Sequence, residues 1–205
     1  MKTLALPLFV VMCLAQWLVP GKMIYDSETV IVEGASYKFK TQPIDPSDPF
    51  RGKYITLNFD ATSIVVEENG RWESGEDVYI TFTTDSAGFA KASGIFRERP
   101  DSDVYLKTSV NYYNNYEQFE VFFNIPFDRF YLEESKASQA EQIYWQAQSD
   151  STQVAYGLVT IGKGQAVLTG VIINNRSIVD IINDLNSDKE WTGKNLTKKQ
   201  IAKGL

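Results

Sequence analysis

Two Asp-Pro dipeptides, an Arg-Gly pair and an alternating apolar run fill the stretch Ile44 to Phe59, IDPSDPFRGKYITLNF. A residue before proline is pushed out of the helical region, so the chain around Asp45 and Asp48 runs extended or turn-like. Each Asp can accept a backbone N–H two residues on, and Arg51 can bridge the two carboxylates. Gly52 permits a bend before the strand begins. Those residue types suffice for a rigid, charge-stitched corner. The same corner can present Asp45, Asp48 and Arg51 to a partner or polar ligand, since loops on a β scaffold often carry function. Calcium ligation fits poorly, because Asp-x-x-Asp with intervening prolines lacks the dense oxygen spacing of a calcium loop.

Past Gly52 the alternation of a strand puts Ile55, Leu57 and Phe59 on one face and Tyr54, Thr56 and Asn58 on the other. The first set reads as core. Tyr54 is the residue of the second set that is either a binding residue or a cross-strand packing partner. Further along, Arg97 and Arg99 share a face if extended, and can hold an anion or the carboxylates of the first loop. Glu133 and Glu134 can act as acid or base, or favour the dipole of a helix they open. Tyr112, Tyr113 and Tyr116 lie among Asn111, Asn114 and Asn115, a mixture that fits a carbohydrate-stacking surface. It fits better a hairpin turning at Asn114-Asn115 with aromatic cross-strand pairs.

Composition removes many alternatives. The chain has no His, which excludes Ser-His-Asp and Cys-His catalysis and His-ligated metals. Its one cysteine, Cys13, cannot form an intrachain disulfide or a thiolate cluster. The net charge of -6 argues against nucleic acid as a partner. No catalytic residue, metal site or cofactor follows from the sequence. An enzyme built from it would be a metal-independent hydrolase using carboxylates with Tyr or Lys. A glancing similarity to membrane-bound signal-peptidase-like proteins at Arg-Gly-Lys-Tyr lacks a convincing Ser-Lys pair.

The elements that hold these residues read as mainly β. Period-two or short apolar runs occur at TVIVEG, SYKFKT, YITLNF, DVYITFTTD, FAKASGIF, VYLKTSV, QFEVFFNI, VAYGLVTI and AVLTGVII. Asn69-Gly70 is a hairpin cue, and Ile161-Gly162-Lys163-Gly164 joins the last two runs tightly. The pattern predicts an antiparallel sandwich or partly closed barrel with one or two short helices. The helices are expected over Glu133 to Gln148 and after Ser177, a plausible N-cap before Ile178, Ile181, Ile182 and Leu185.

Ahead of this domain, Thr3 to Gly21 carries no charge and is closed by Lys22. Spanning a bilayer takes about 20 mainly apolar residues, so the run suffices for a transmembrane helix, with Trp17 and Tyr25 suited to an interface. Pro7 and Pro20 then fall near its ends. A cleavable signal peptide, cut after Cys13-Leu14-Ala15, and a buried core helix are the competing readings. The charges at Lys2 against Asp26 and Glu28 favour a cytoplasmic terminus and a domain outside the inner membrane. The expected organisation is an anchor over 1–25, a β-rich extracytoplasmic domain over 26–176, and a C-terminal helix with a basic tail over 177–205.

DPSDPFRGKYITLNF resembles the signature of the GDYXXLXY family. Asp45-Pro46, Asp48-Pro49, Arg51, Gly52, Tyr54 and Leu57 match, while Lys53 stands at the named aspartate and Phe59 at the last aromatic. A general-base role at that aspartate cannot survive exchange for an ammonium. LALPLFVVMCLAQWLVP, EGASYKFKTQPIDP, DRFYLEES (with Glu134) and VAYGLVTIGKGQAVLTGVIINN extend the resemblance over most of residues 1–175. It implies a single-span membrane protein of a kind often encoded beside a polytopic membrane protein, and implies no particular reaction. The leading expectation is an accessory or interaction module contacting that partner through Asp45 to Tyr54.

Overall fold

A computed structural model describes residues 5–42, 54–67, 70–116, 118–150 and 152–187. The chain begins with α1, Ala5–Glu33, and passes through Gly34 into β1, Ala35–Gln42. Short strands β2 (Tyr54–Thr56), β3 (Asn58–Phe59) and β4 (Ser63–Val65) follow. Then come β5 (Asp77–Thr84), β6 (Ala90–Phe96), β7 (Leu106–Asn114), β8 (Glu120–Phe123) and β9 (Arg129–Tyr131). Helix α2, Glu134–Ser149, leads to β10 (Ala155–Gly162), β11 (Gln165–Ile173) and β12 (Arg176–Ser177), and residues 178–187 form α3.

The strands build two five-stranded antiparallel sheets, β12-β11-β10-β1-β3 and β4-β8-β7-β5-β6, plus a separate β2-β9 ladder. The outer strands β4 and β6 of the second sheet approach one another without a ladder, so that sheet curls but does not close. The mainly β, antiparallel architecture agrees with the alternation in the sequence.

A cluster of phenylalanines joins the sheets. Phe39 on β1 is 0% exposed and meets Phe59 on β3, Phe82 on β5 and Phe127 edge-on, with centroids 5.8, 5.1 and 5.0 Å away. Edge-to-face geometry sets the positive ring edge against a negative face, worth roughly 0.5–1.5 kcal/mol per pair beyond burial. Around it pack Val78 and Ile80 of β5, Val159 and Ile161 of β10, and Val171 of β11.

Both later helices cover this core. In α2 the buried positions Ala137, Ala140, Tyr144 and Ala147 recur at helical spacing, and the alanines let the helix approach closely. The Tyr144 hydroxyl accepts from Gln148 Nε2 (3.0 Å), which also donates to Thr41 Oγ1 (2.6 Å), tying α2 to β1. Ser177 caps α3 by accepting the Val179 N–H (3.3 Å), as its position before the apolar run predicts.

Two readings of the sequence are corrected. TVIVEG is not a strand: Thr29 to Glu33 are the last turns of α1. Their β-branched residues suit a strand by propensity, but Val30 is buried against the sheet and tertiary packing overrides a weak preference. Pro20 consequently lies inside α1 and not near its end, removing one intrahelical hydrogen bond. Asn69-Gly70, of which Asn69 lies outside the described residues, does not join paired strands, because β4 pairs with β8 while β5 pairs with β6 and β7. By contrast the Gly162–Gly164 turn holds Lys163 at φ 51° and Gly164 at φ 85°, the left-handed values a tight hairpin needs. Among the described residues no helix is long and apolar enough to cross a membrane.

Removing the central ring opens a void where four aromatic side chains meet. Phe39→Ala is expected to lower the unfolding free energy by about 3–5 kcal/mol in chemical denaturation, and Phe39→Leu by less. A loss below about 1 kcal/mol for the alanine variant would show that the sheets do not depend on this cluster.

Candidate functional site

The strand entered by Tyr54 changes partner halfway. Tyr54, Ile55 and Thr56 pair with Tyr131, Phe130 and Arg129 of β9. Leu57 then donates its N–H to Asp128 O (2.8 Å), and Asn58 and Phe59 pair with Gln42 and Thr41 of β1. Alternation persists through the switch: Ile55, Leu57 and Phe59 are buried in the core, while Thr56 and Asn58 are exposed.

Tyr54 is half-buried. Its ring lies 5.5 Å from that of its cross-strand partner Tyr131, and the Arg129 guanidinium sits 5.1 Å from its centroid. Tyr131, Tyr54 and the neighbouring Asp128 make the Arg129 cation hold its proton more firmly than usual. The result is a small aromatic–cationic platform on the surface, mostly exposed at Tyr131. It serves packing, as the cross-strand reading of Tyr54 predicts, and leaves one edge open to solvent.

Beyond Tyr54, Thr56 and Asn58 line a cleft of about 620 Å³. Thr62, Asn111 of β7, Phe122 of β8, and Asn124 and Asp128 from the β8–β9 connection add to its polar and aromatic lining, with Phe59 and Phe123 at its apolar side. It lies where β3, at the edge of the first sheet, faces the β7–β8 pair of the second.

Of the other residues singled out in the sequence, Asp45, Asp48, Arg51 and Gly52 lie outside the described residues. Arg97 and Arg99 do not act together. Arg97 Nε donates to Glu76 Oε1 (2.5 Å), Nη2 donates to Arg71 O (2.5 Å), and the guanidinium lies 4.2 Å from the Trp72 ring centroid. Arg99 instead donates to Asp103 (3.1 Å) and covers Tyr105. Glu134 opens α2 and is engaged within the protein. None of Tyr54, Arg97, Arg99 and Glu134 lines the cleft. Among the described residues no cluster of Asp, Glu and Cys could hold a metal ion.

Arg129 and Tyr131 escaped the sequence reading. The signal lay in DRFY, where Arg129 and Tyr131 share a face of a strand, but three residues are too few for alternation to declare itself. Tyr112 and Phe122 do stack across β7–β8, at 4.3 Å and 7°, with Tyr113 on Phe119 beside them, in keeping with the hairpin reading of that aromatic run; Asn114 is still paired with Glu120 at the end of β7, so the chain turns after Asn114 and not at Asn114-Asn115.

A helix-led domain of two packed antiparallel sheets, with a partner-switching strand that lines an open polar cleft, is the class these features define. The chain belongs to the GDYXXLXY protein family, whose profile matches residues 16–171, from within α1 to within β11. No curated protein matches the chain, and no solved structure does.

The Arg97–Glu76 bridge gives a pH signature. The hydrogen bond from Arg97 holds the Glu76 carboxyl below its ordinary 4.5, so its contribution is complete above that value and is lost as the pH falls below it. Denaturation midpoints followed from about pH 6 to about pH 3 should fall less steeply in Arg97→Gln than in wild type. Parallel curves would show that the bridge contributes nothing in solution.

Proposed function

We propose that this protein is a membrane-anchored accessory module, seated by its N-terminal helix in the bacterial inner membrane with the β domain in the periplasm, where it contacts a polytopic membrane protein. The observation that carries this reading is the surface of α1. Phe9, Val11, Leu14, Trp17, Leu18, Val19, Met23 and Ile24 are all exposed, and these positions circle the helix. A helix that is apolar all round is stable in water only when something covers it. Lipid fits that requirement along the whole uncharged run, which starts at Thr3, outside the described residues. The described helix falls short of a membrane span by itself, so the reading relies on that full run.

In this reading the domain stays within about 20 Å of the bilayer, because the remaining turns of α1 from Lys22 to Glu33 and then Gly34 alone connect the uncharged run to β1. A surface held at that distance is suited to touching an embedded neighbour, and the signature corner leading into Tyr54 is the surface this reading selects.

Two measurements test it together. The protein should stay in the membrane pellet after an alkaline carbonate wash and be released by detergent. A soluble protein whose mature terminus lies near Gln16 would overturn the anchor. In a mild-detergent pull-down, wild type should retain a polytopic membrane protein that Arg51→Ala and Tyr54→Ala lose while still folded. Equal recovery with all three proteins, or none with wild type, would overturn the interaction.

A further inference from the structure

The cleft between β3 and the β7–β8 pair has a lining whose chemistry is selective. Among the described residues, Thr56 and Thr62 contribute two hydroxyls, Asn58, Asn111 and Asn124 three carboxamides, and Asp128 the one charged group of the lining. With a carboxylate as its one charged lining group among the described residues, the cleft favours neutral ligands over anions. One carboxylate among neutral oxygens is too little for a calcium site, which takes six to eight oxygen ligands. Hydroxyl groups suit the set well, because each carboxamide both donates and accepts and the carboxylate accepts from two hydroxyls.

The polar groups are also held in place. Strand β7 pairs Val110 with Phe123 and next Tyr112 with Phe122, so Asn111 is left over as a bulge. Bulges re-aim side chains and recur beside functional sites. Asn124 is fixed at three points: its N–H donates to Ser109 O (3.0 Å), its Nδ2 donates to Ser109 Oγ (2.8 Å), and its carbonyl accepts from Thr108 Oγ1 (2.6 Å). Among the described residues nothing donates to its Oδ1. The Leu57 N–H anchors the Asp128 carbonyl, while the Asp128 carboxylate is only loosely approached by Arg129 Nε at 3.9 Å. Phe122, clamped by its stack on Tyr112, adds half-buried apolar surface beside the polar groups.

We infer that this cleft binds a short neutral saccharide. Amides and a carboxylate reading vicinal hydroxyls beside a fixed aromatic ring is the arrangement that such a ligand requires, and a volume of about 620 Å³ lies in the range of small-ligand sites. The competing occupant is an extended peptide pairing with the edge strand β3. It would use backbone hydrogen bonds and would not need the bulged Asn111.

The test uses the full chain in lauryldimethylamine oxide, a detergent without a sugar headgroup. Saturation-transfer NMR and calorimetry would screen neutral di- and trisaccharides of hexoses and N-acetylhexosamines. At least one should bind saturably. Asn111→Ala and Asp128→Asn should weaken it about tenfold, while Gln165→Ala on the distant β10–β11 turn leaves it unchanged. Asp128→Asn keeps the side chain's shape, so it remains informative if Asn111→Ala fails to fold. No saturable binding by the folded protein, binding indifferent to Asn111→Ala and Asp128→Asn, or binding of an uncharged peptide with none of the sugars would each overturn the inference.

Discussion

At Gly34 the chain leaves α1 and enters β1 with room for no side chain. A Cβ there would sit 2.5 Å from Val30 O, 2.8 Å from Ile161 O and 2.8 Å from Thr160 Cγ2, and Gly162 faces it across the gap. Because Gly34 also donates its N–H to Val30 O (2.9 Å), the helix terminates against β10 and not some distance away from it. That close approach fixes the first pair of the β1–β10 ladder, Ala35 with Ile161. From there strand alternation carries Tyr37 and Phe39 to the core side, and Phe39 becomes the ring on which both sheets meet. Lys163 reaches Glu33 across the same junction (2.5 Å). Both side chains are exposed, so that pair contributes little beyond orientation. The steric constraint, more than the ion pair, couples the apolar helix to the sheets.

Much of this architecture was legible in the residues. SYKFKT and DVYITFTTD alternate because each has one face in the core, and they form β1 and β5; VAYGLVTI is legible as a continuous apolar run because β10 is buried on both faces. The Lys163-Gly164 turn was legible because left-handed φ values restrict the residues able to adopt them. The short strands β4, β9 and β12 were not legible, since two or three residues cannot display a period. TVIVEG misled for a different reason. Its β-branched residues speak for a strand, but Val30 packs against the sheet as part of a helix already running from Ala5, and extending a helix adds a hydrogen bond for each residue fixed.

The functional surfaces were legible in part. The signature strand identified Tyr54 and the burial of Ile55, Leu57 and Phe59, all local consequences of alternation. Its division between β9 and β1 depends on partners far along the chain, and no local pattern encodes that. The cleft is still less local. Asn58, Asn111 and the connection carrying Asn124 and Asp128 are three separate segments that meet only because β3 ends at a sheet edge opposite a bulge in β7. Asn111 was noticed among the tyrosines as a possible sugar-contacting residue, and the aromatic pairs there proved structural while the asparagine faces a cleft.

Because Gly34 makes helix and sheets one rigid unit, the distance between them should take a single value. With Cys13→Ser removing the native thiol, spin labels at Tyr25→Cys on α1 and Lys91→Cys on β6 allow that distance to be measured by double electron–electron resonance. The account predicts one narrow distance distribution for the full chain in detergent. A broad or split distribution would mean that α1 swings freely about Gly34, and would contradict the rigid junction on which the placement of the domain depends.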